Sequence, residues 1–351
     1  MSDGIRNNET TRGRRLMLAG EHQPPLLEVR DLAVEFRTPS RTVHAVVSAS
    51  YTVSRGESLA VVGESGSGKS VTVQAILGLL DRQVARITAG EVRFAGENLL
   101  RMRERERRAL RGAKLALVPQ DAMAALNPLI PVGRQIAEMF TVHGRLGRRE
   151  AGNEAVRLME HVGIPSASRR ANQLPHEFSG GMRQRLVIAM AISLSPDVLI
   201  ADEATSALDV TTQLQVVSTL DRLRRELGMA VIFITHDLLS ARGADRVAVM
   251  YAGRVVESGP AAQVFARPAH PYTEALLLST PRLGGSNELR PIPGRPPGHD
   301  RVPTGCPFAP RCIHRRDRCL AENPPLREVA QTDWSSACHY APNFEKEAAA
   351  L

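Results

Sequence analysis

The chain has 351 residues, 43% of them hydrophobic and 23% charged, with a formal net charge of +8. That length holds a full core and two structural units, and the balance is that of a soluble globular protein. No apolar run reaches the ~18 residues of a membrane span. The polar start, Met1 to Pro25, lacks the apolar centre of a signal peptide, so a disordered segment 1–25 and a cytoplasmic location are expected. The positive charge suits nucleic acid, an anionic membrane surface or a nucleotide substrate. One basic cluster, Arg101 to Lys114, has no aromatic interleaving for stacking on single-stranded nucleic acid and reads as a solvated helix face.

In chain order, Leu27-Glu28-Val29, Leu32 to Phe36 and Val43 to Val53 alternate as short strands. Phe36 has two readings, one against an adenine ring and one as a core residue of the sheet. The apolar run Leu59 to Val62 then feeds Gly63-Glu64-Ser65-Gly66-Ser67-Gly68-Lys69-Ser70, and a helical pattern follows to Leu80. Strand, glycine-rich loop and helix in that order make a phosphate cradle. Glycines let backbone N–H groups approach an anion, and the helix N-terminus points its positive end at it. Lys69 reaches the β- and γ-phosphates of a triphosphate, and the Ser70 hydroxyl ligates Mg²⁺. Lysine occurs only at 69, 114 and 346 among 45 basic residues, so an arginine-rich chain keeps a compact point charge here.

Thr88 to Gly96 reads as a hairpin. Leu115 to Val118 is a buried strand, and Gln120 at its end faces the ligand crevice of such a sheet, open to Mg²⁺ or to an attacking water. From Asp121 to Glu177 the pattern turns helical, an insertion in an α/β core. Phe178-Ser179-Gly180-Gly181-Met182 opens an apolar helix, Leu186 to Leu194, and offers a second anion-binding helix start. Asp197 to Ala201 is a strand closed by two acids. Asp202 is placed to hold Mg²⁺, and Glu203, one residue on, to polarise the attacking water. Ser206 to Asp209 precedes a helix through Leu227. Ala230 to Ile234 is a further strand, closed by Thr235-His236-Asp237. His236 reads as a γ-phosphate contact, as an orienter of Glu203, or as half of a helix-capping His-Asp pair. A final hairpin spans Arg246 to Ser258. Strands separated by helices indicate a largely parallel, helix-covered sheet.

After Gly259 the composition becomes proline-rich, with Pro268, Pro271, Pro281, Pro291, Pro293, Pro296 and Pro297, and a boundary is expected near 260. All four cysteines lie beyond it, Cys306, Cys312, Cys319 and Cys338. A cytosolic chain is not expected to use them as disulfides, and their clustering suggests a metal or iron–sulfur site.

Together, in order and at these distances, the motifs resemble the nucleotide-binding subunits of ABC transporters over about residues 26–260. Gly63 to Ser70 matches the family's Walker A, Gln120 its Q-loop glutamine and Ser179-Gly180-Gly181 its signature, with Phe178 for leucine and Met182 for glutamine. Asp202 and Glu203 match Walker B and the catalytic glutamate, Ser206 to Asp209 the D-loop, and His236 the switch histidine. Pro119 to Pro128, Pro175 to Arg185, His270-Pro271-Tyr272-Thr273 and Cys306 to Cys312 are similar to oligopeptide and dipeptide importers.

The resemblance implies an α/β phosphate-loop NTPase of the ABC type: a RecA-like core with an antiparallel β-subdomain and an α-helical subdomain at about 121–178. A small loop-rich, cysteine-containing extension would occupy 261–351. It further implies that Gly63 to Ser70, Ser179 to Gly181 and Asp209 bind ATP, with Phe36 the aromatic placed for the adenine on the reading above, and that Ser70, Gln120 and Asp202 serve Mg²⁺. Glu203, His236 and Gln120 would serve hydrolysis. The cysteines would hold a [4Fe–4S] cluster, with Zn²⁺ as the alternative that four thiolates also suit. The implied partners are a second cassette, a copy or a paralogue, in a head-to-tail dimer, two transmembrane permease subunits and, indirectly, an extracytoplasmic solute-binding protein. The implied place is the cytoplasmic face of the cell membrane, with no nucleic acid partner. A rival class, an ABC ATPase acting on ribosomes or DNA, fits the basic charge, but it usually has two cassettes or long coiled-coil insertions, and the sequence has neither.

Overall fold

The computed structural model describes residues 24–206, 208–280, 290–329 and 332–341. The expected disordered segment 1–25 lies almost wholly outside these, as do Pro281 and Ala207 of the D-loop motif.

Two long strands come first among the described residues, β1 (Leu27–Arg37) and β2 (Thr42–Val53), and pair antiparallel. The two strands expected at 27–29 and 32–36 are one strand. The ladder shifts between Val29 and Leu32, where Asp31 takes a positive φ of 44°, and Asp31 N–H is satisfied by Ser50 Oγ at 2.8 Å instead. A β-bulge of this kind breaks the alternation that sequence reading depends on. β3 (Ser58–Val62), buried at all five positions, leads to α1 (Lys69–Leu77). β4 (Ala85–Phe94) and the short β5 (Glu97–Asn98) form the expected hairpin and extend the antiparallel wing.

α2 (Glu104–Leu110) carries the basic cluster. It is not simply a solvated face. Arg107 is buried and pairs with Glu104 at 2.6 Å, while Arg111 donates to the carbonyls of Leu77 and Gly78 at the end of α1. These two arginines are structural, while Arg101, Arg103, Arg105, Arg108 and Lys114 are exposed, as the solvated-face reading expects.

β6 (Leu115–Val118) opens the helical stretch, with α3 (Ala122–Ala125), α4 (Val132–Val142), α5 (Arg148–His161) and α6 (Ala167–Arg170). α7 (Gly180–Ile192) starts at the Ser179 cap, where the Ser-Gly-Gly segment is expected to open it, and ends at Ile192 rather than Leu194. β7 (Val198–Asp202), α8 (Val210–Leu227), β8 (Ala230–Thr235), α9 (Leu238–Ala241), β9 (Arg246–Tyr251) and β10 (Arg254–Pro260) complete the core. The strand order is β5-β4-β1-β2-β10-β9-β3-β8-β7-β6. β6, β7, β8, β3 and β9 run parallel, and their apolar strands are covered on both faces, as parallel sheets require. One core joins the antiparallel wing to α1 and the central sheet; a second joins the sheet to α4, α5, α7 and α8.

Beyond the boundary expected at 260 come α10 (Ala261–Ala266), α11 (Pro271–Leu278), α12 (Asp317–Ala321) and two short strands, β11 (Arg327–Glu328) and β12 (Ser335–Ser336). Residue 260 marks a change of composition, not a break in packing. β12 pairs with β10, and Tyr272, Leu277 and Phe308 share one apolar core with Ala60, Val62, Val249 and Tyr251 of the sheet. The rings of Tyr251 and Phe308 meet edge-on at 5.3 Å, and those of Tyr272 and Phe308 at 5.4 Å.

Candidate functional site

The phosphate loop leaves the buried end of β3 and closes on α1. Gly63 and Gly68 are there for space as well as for conformation. A Cβ on Gly63 would lie 2.1 Å from Met250 O, and one on Gly68, at φ 100°, 2.6 Å from Ala45 O. Lys69 is 4% exposed, and its ammonium donates to Gly63 O at 2.8 Å and Glu64 O at 2.9 Å. Burial lowers its pKa, against the fields of Glu203, Asp202 and Glu64, which raise it. A buried cation flanked only by carbonyls and carboxylates is prepared for an anion.

Ser70 Oγ, in the first turn of α1, donates to Asp202 Oδ1 at the end of β7 over 3.0 Å. Burial pushes Asp202 upward, opposed by that hydrogen bond. A divalent cation shared by this hydroxyl and this carboxylate would remove the cost, so the pair fits Mg²⁺. Glu203 sits one residue past the strand with φ 44°, a backbone that a non-glycine residue adopts at a cost of ~1–3 kcal/mol. Its carboxylate accepts from Gln120 Nε2 at 3.0 Å, and His236 Nδ1 lies 3.6 Å from its other oxygen. Three strand ends, those of β6, β7 and β8, thus deliver Gln120, Glu203 and His236 to one point. Parallel sheets bind ligands at that carboxyl edge.

Beside this point lies a cleft of about 440 Å³, lined by Phe36, Ser65, Gly66, Lys69, Ser70, Gln120 and Glu203 among others. Phe36 lines the cleft and also packs against the core of the sheet, so both of its readings stand. The signature residues do not join it. Ser179 caps α7, accepting from Met182 N at 3.4 Å, and Asp209 caps α8, accepting from Thr212 N at 3.0 Å. Neither they nor Gly180 and Gly181 line the cleft of their own chain.

Glu64 is held by residues of the C-terminal extension. Its carboxylate forms a two-bond pair with Arg311, at 2.9 and 3.0 Å, and its N–H donates to the Tyr272 hydroxyl at 2.9 Å. Arg311 and Tyr272 were not among the expected site residues. Both lie inside the quoted tail motifs, but nothing local says that those motifs touch the phosphate loop. His299, from the same extension, also lines the cleft.

The four cysteines are free thiols, and all of them line a second cavity, of about 20 Å³, together with His314 and His339. Burial raises Cys306, and raises Cys312 and Cys338 to about 11. Among the described residues no three His, Cys, Asp or Glu side chains stand where one metal ion would hold them together. A tetrahedral Zn²⁺ at ~2.3 Å from each sulfur needs sulfurs within about 3.8 Å of one another. As they stand, the four thiols around a cavity of about 20 Å³ do not form a set that fits either Zn²⁺ or a [4Fe–4S] cluster.

Among the described residues no helix is long and apolar enough to cross a membrane. The family pattern "ABC transporter" matches residues 46–206, and "Oligopeptide/dipeptide transporter, C-terminal region" matches 256–319. The oligopeptide transport ATP-binding protein OppD of Bacillus subtilis is 45% identical over 324 residues, covering 92% of this chain and 90% of that protein. OppD of Escherichia coli is 46% identical over 89% of this chain and 92% of its own length. The dipeptide transport ATP-binding protein DppD of Bacillus subtilis is 47% identical over 84% and 88%. Among solved structures, a dimeric post-hydrolysis state of an ATP-binding cassette bound to ADP and Pi aligns with a TM-score of 0.60 at 25% identity. It covers 67% of this chain and 98% of that one. The loop, the strand-end acids and the C-terminal region match together: the chain is an ATPase and belongs to the peptide-import ATP-binding proteins of ABC transporters.

Proposed function

We propose that this protein binds and hydrolyses ATP to drive uptake of peptides, or of a related solute, through membrane subunits that it engages from the cytoplasmic face. The observation that carries the reading is the single cleft in which Lys69, Ser70, Gln120 and Glu203 converge. The triphosphate lies in the phosphate loop, with Lys69 as its counter-charge and Phe36 against the base. Ser70 and Asp202 would hold Mg²⁺, which when bound would supply neutralisation of the phosphate charge. Glu203 accepts a proton from water as the water oxygen attacks the γ-phosphorus, and the bond to the ADP oxygen breaks. Gln120 and His236 hold the Glu203 carboxylate toward that water.

The Ser179 to Gly181 segment stands apart from the cleft, and so does Asp209. A head-to-tail pair answers both facts: the signature of one cassette covers the nucleotide of the other. ATP then favours the closed pair and hydrolysis releases it, a population shift set by differential affinity. The helical layer and the Gln120 loop carry that motion to two permease subunits, which receive cargo from an extracytoplasmic binding protein. The relatives of this type argue against a nucleic acid partner.

The cysteines serve, on this reading, as thiolate ligands of a [4Fe–4S] cluster, with Zn²⁺ second. Purified anaerobically, the protein should contain iron and sulfide that Cys306→Ser loses; zinc alone would leave the tail a structural clamp, and neither metal would remove this assignment. The transport reading is tested by reconstituting the protein with its permease subunits in vesicles. Labelled peptide should enter with ATP and not with Glu203→Gln. Full uptake by that variant would overturn the coupling.

A further inference from the structure

We propose that Arg311, supplied by the C-terminal extension, is a positioning residue of the nucleotide site: it neutralises Glu64 and pins the phosphate loop in the form that receives a triphosphate. Three observations meet here. The Arg311 guanidinium has a side chain only 6% exposed and makes a fork with both Glu64 oxygens, at 2.9 and 3.0 Å. The same guanidinium donates to Tyr251 Oη at 3.2 Å and to Pro293 O at 2.8 Å, so its place is fixed by four hydrogen bonds to three partners. The loop is held a second time, by Glu64 N–H on the Tyr272 hydroxyl.

Glu64 is the second residue of the phosphate loop, and its own carbonyl accepts from Lys69. An unpaired carboxylate at this position would repel a polyphosphate and would compete for the Lys69 charge. A planar fork suits the task, since it meets a carboxylate with two parallel bonds and keeps the rest of its donors occupied. The extension also crosses the cleft nearby. His299 O accepts from His44 N at 2.8 Å, and a Cβ on Gly66 would stand 3.6 Å from the His299 ring. The extension is therefore a wall of the nucleotide site, whatever fills the thiol cavity on its far side.

The test is titration of the full-length protein with a fluorescent MgATP analogue. Arg311→Met should weaken binding about tenfold by leaving Glu64 unpaired beside the polyphosphate, and the loss should shrink at high salt. Adding Glu64→Gln to Arg311→Met should recover most of it, a recovery that a merely structural role of Arg311 would not produce. Arg311→Lys keeps a charge but not the fork and should lose about threefold; it decides the matter if the methionine variant does not fold. A dissociation constant within twofold of the parent in whichever variant folds would overturn the proposal. So would a double variant as weak as Arg311→Met. Because the parent must bind MgATP for the titration to start, failure of the proposal is distinct from failure of the ATP site itself.

Discussion

Replacing Phe308 with alanine tests whether the C-terminal extension and the cassette are one folding unit. Phe308 is 2% exposed and lies between Tyr251 at 5.3 Å, Tyr272 at 5.4 Å and His270 at 6.1 Å. Full burial of a phenylalanine side chain contributes about 3 kcal/mol. Its three ring neighbours are held by other bonds and cannot collapse into the space, so the hole adds to that loss, and about 4–5 kcal/mol is expected in total. The only tryptophan, Trp334, donates to Glu257 at 2.9 Å and reports docking of the extension on β10. Urea unfolding followed by tryptophan emission and by far-ultraviolet dichroism should give one shared transition in the parent, moved to lower urea in Phe308→Ala. If the emission transition separated from the dichroism transition in the parent, or kept its midpoint in the variant, the shared core would be refuted.

Two further outcomes follow from the site and its supports. Lys69→Met should abolish measurable MgATP binding while the fold persists, because the loop loses its counter-charge; unchanged affinity in calorimetry would contradict the assigned role. His270 is fully buried and burial lowers its pKa from 6.5 to about 3. Below pH 6.5 the unfolded chain takes up a proton that the folded chain refuses, so this histidine subtracts stability as pH falls. His270→Asn keeps a side chain able to cap α11 but does not titrate. Its penalty against the parent should therefore shrink by about 2 kcal/mol between pH 7 and pH 5; a pH-independent penalty in urea midpoints would count against the reasoning. Glu257 titrates the other way, raised by burial to about 7, but it does so in both proteins and cancels in the comparison.

The phosphate loop, the strand-end acids and the parallel core were legible because their signals are local: glycines at a fixed offset, apolar runs of four to six residues and a polar residue at each strand end. Gln120, Glu203 and His236 come from strands far apart in sequence, yet a parallel sheet places its carboxyl ends side by side, so topology alone brings them together. The docking of the extension was not legible. Glu64 and Arg311 are 247 residues apart, and no periodicity encodes such a contact. Glu257, a buried residue of β10 with Ala269 N–H, His270 N–H and Trp334 as donors, was missed for the same reason, since a lone glutamate in a strand reads as a solvent-facing residue. The joined strand β1 was missed because a single left-handed residue, Asp31, shifts the alternation.

The most direct test of the account is single-site hydrolysis by Glu203→Gln, measured with MgATP at saturation beside a binding titration on the same preparation. Binding should match the parent, because Glu203 does not hold the triphosphate, and turnover should fall by roughly 10²–10⁴, the usual worth of a general base. Parent-like turnover with intact binding would show that the proton leaves the attacking water by another route, and the site built around Glu203 would have to be abandoned.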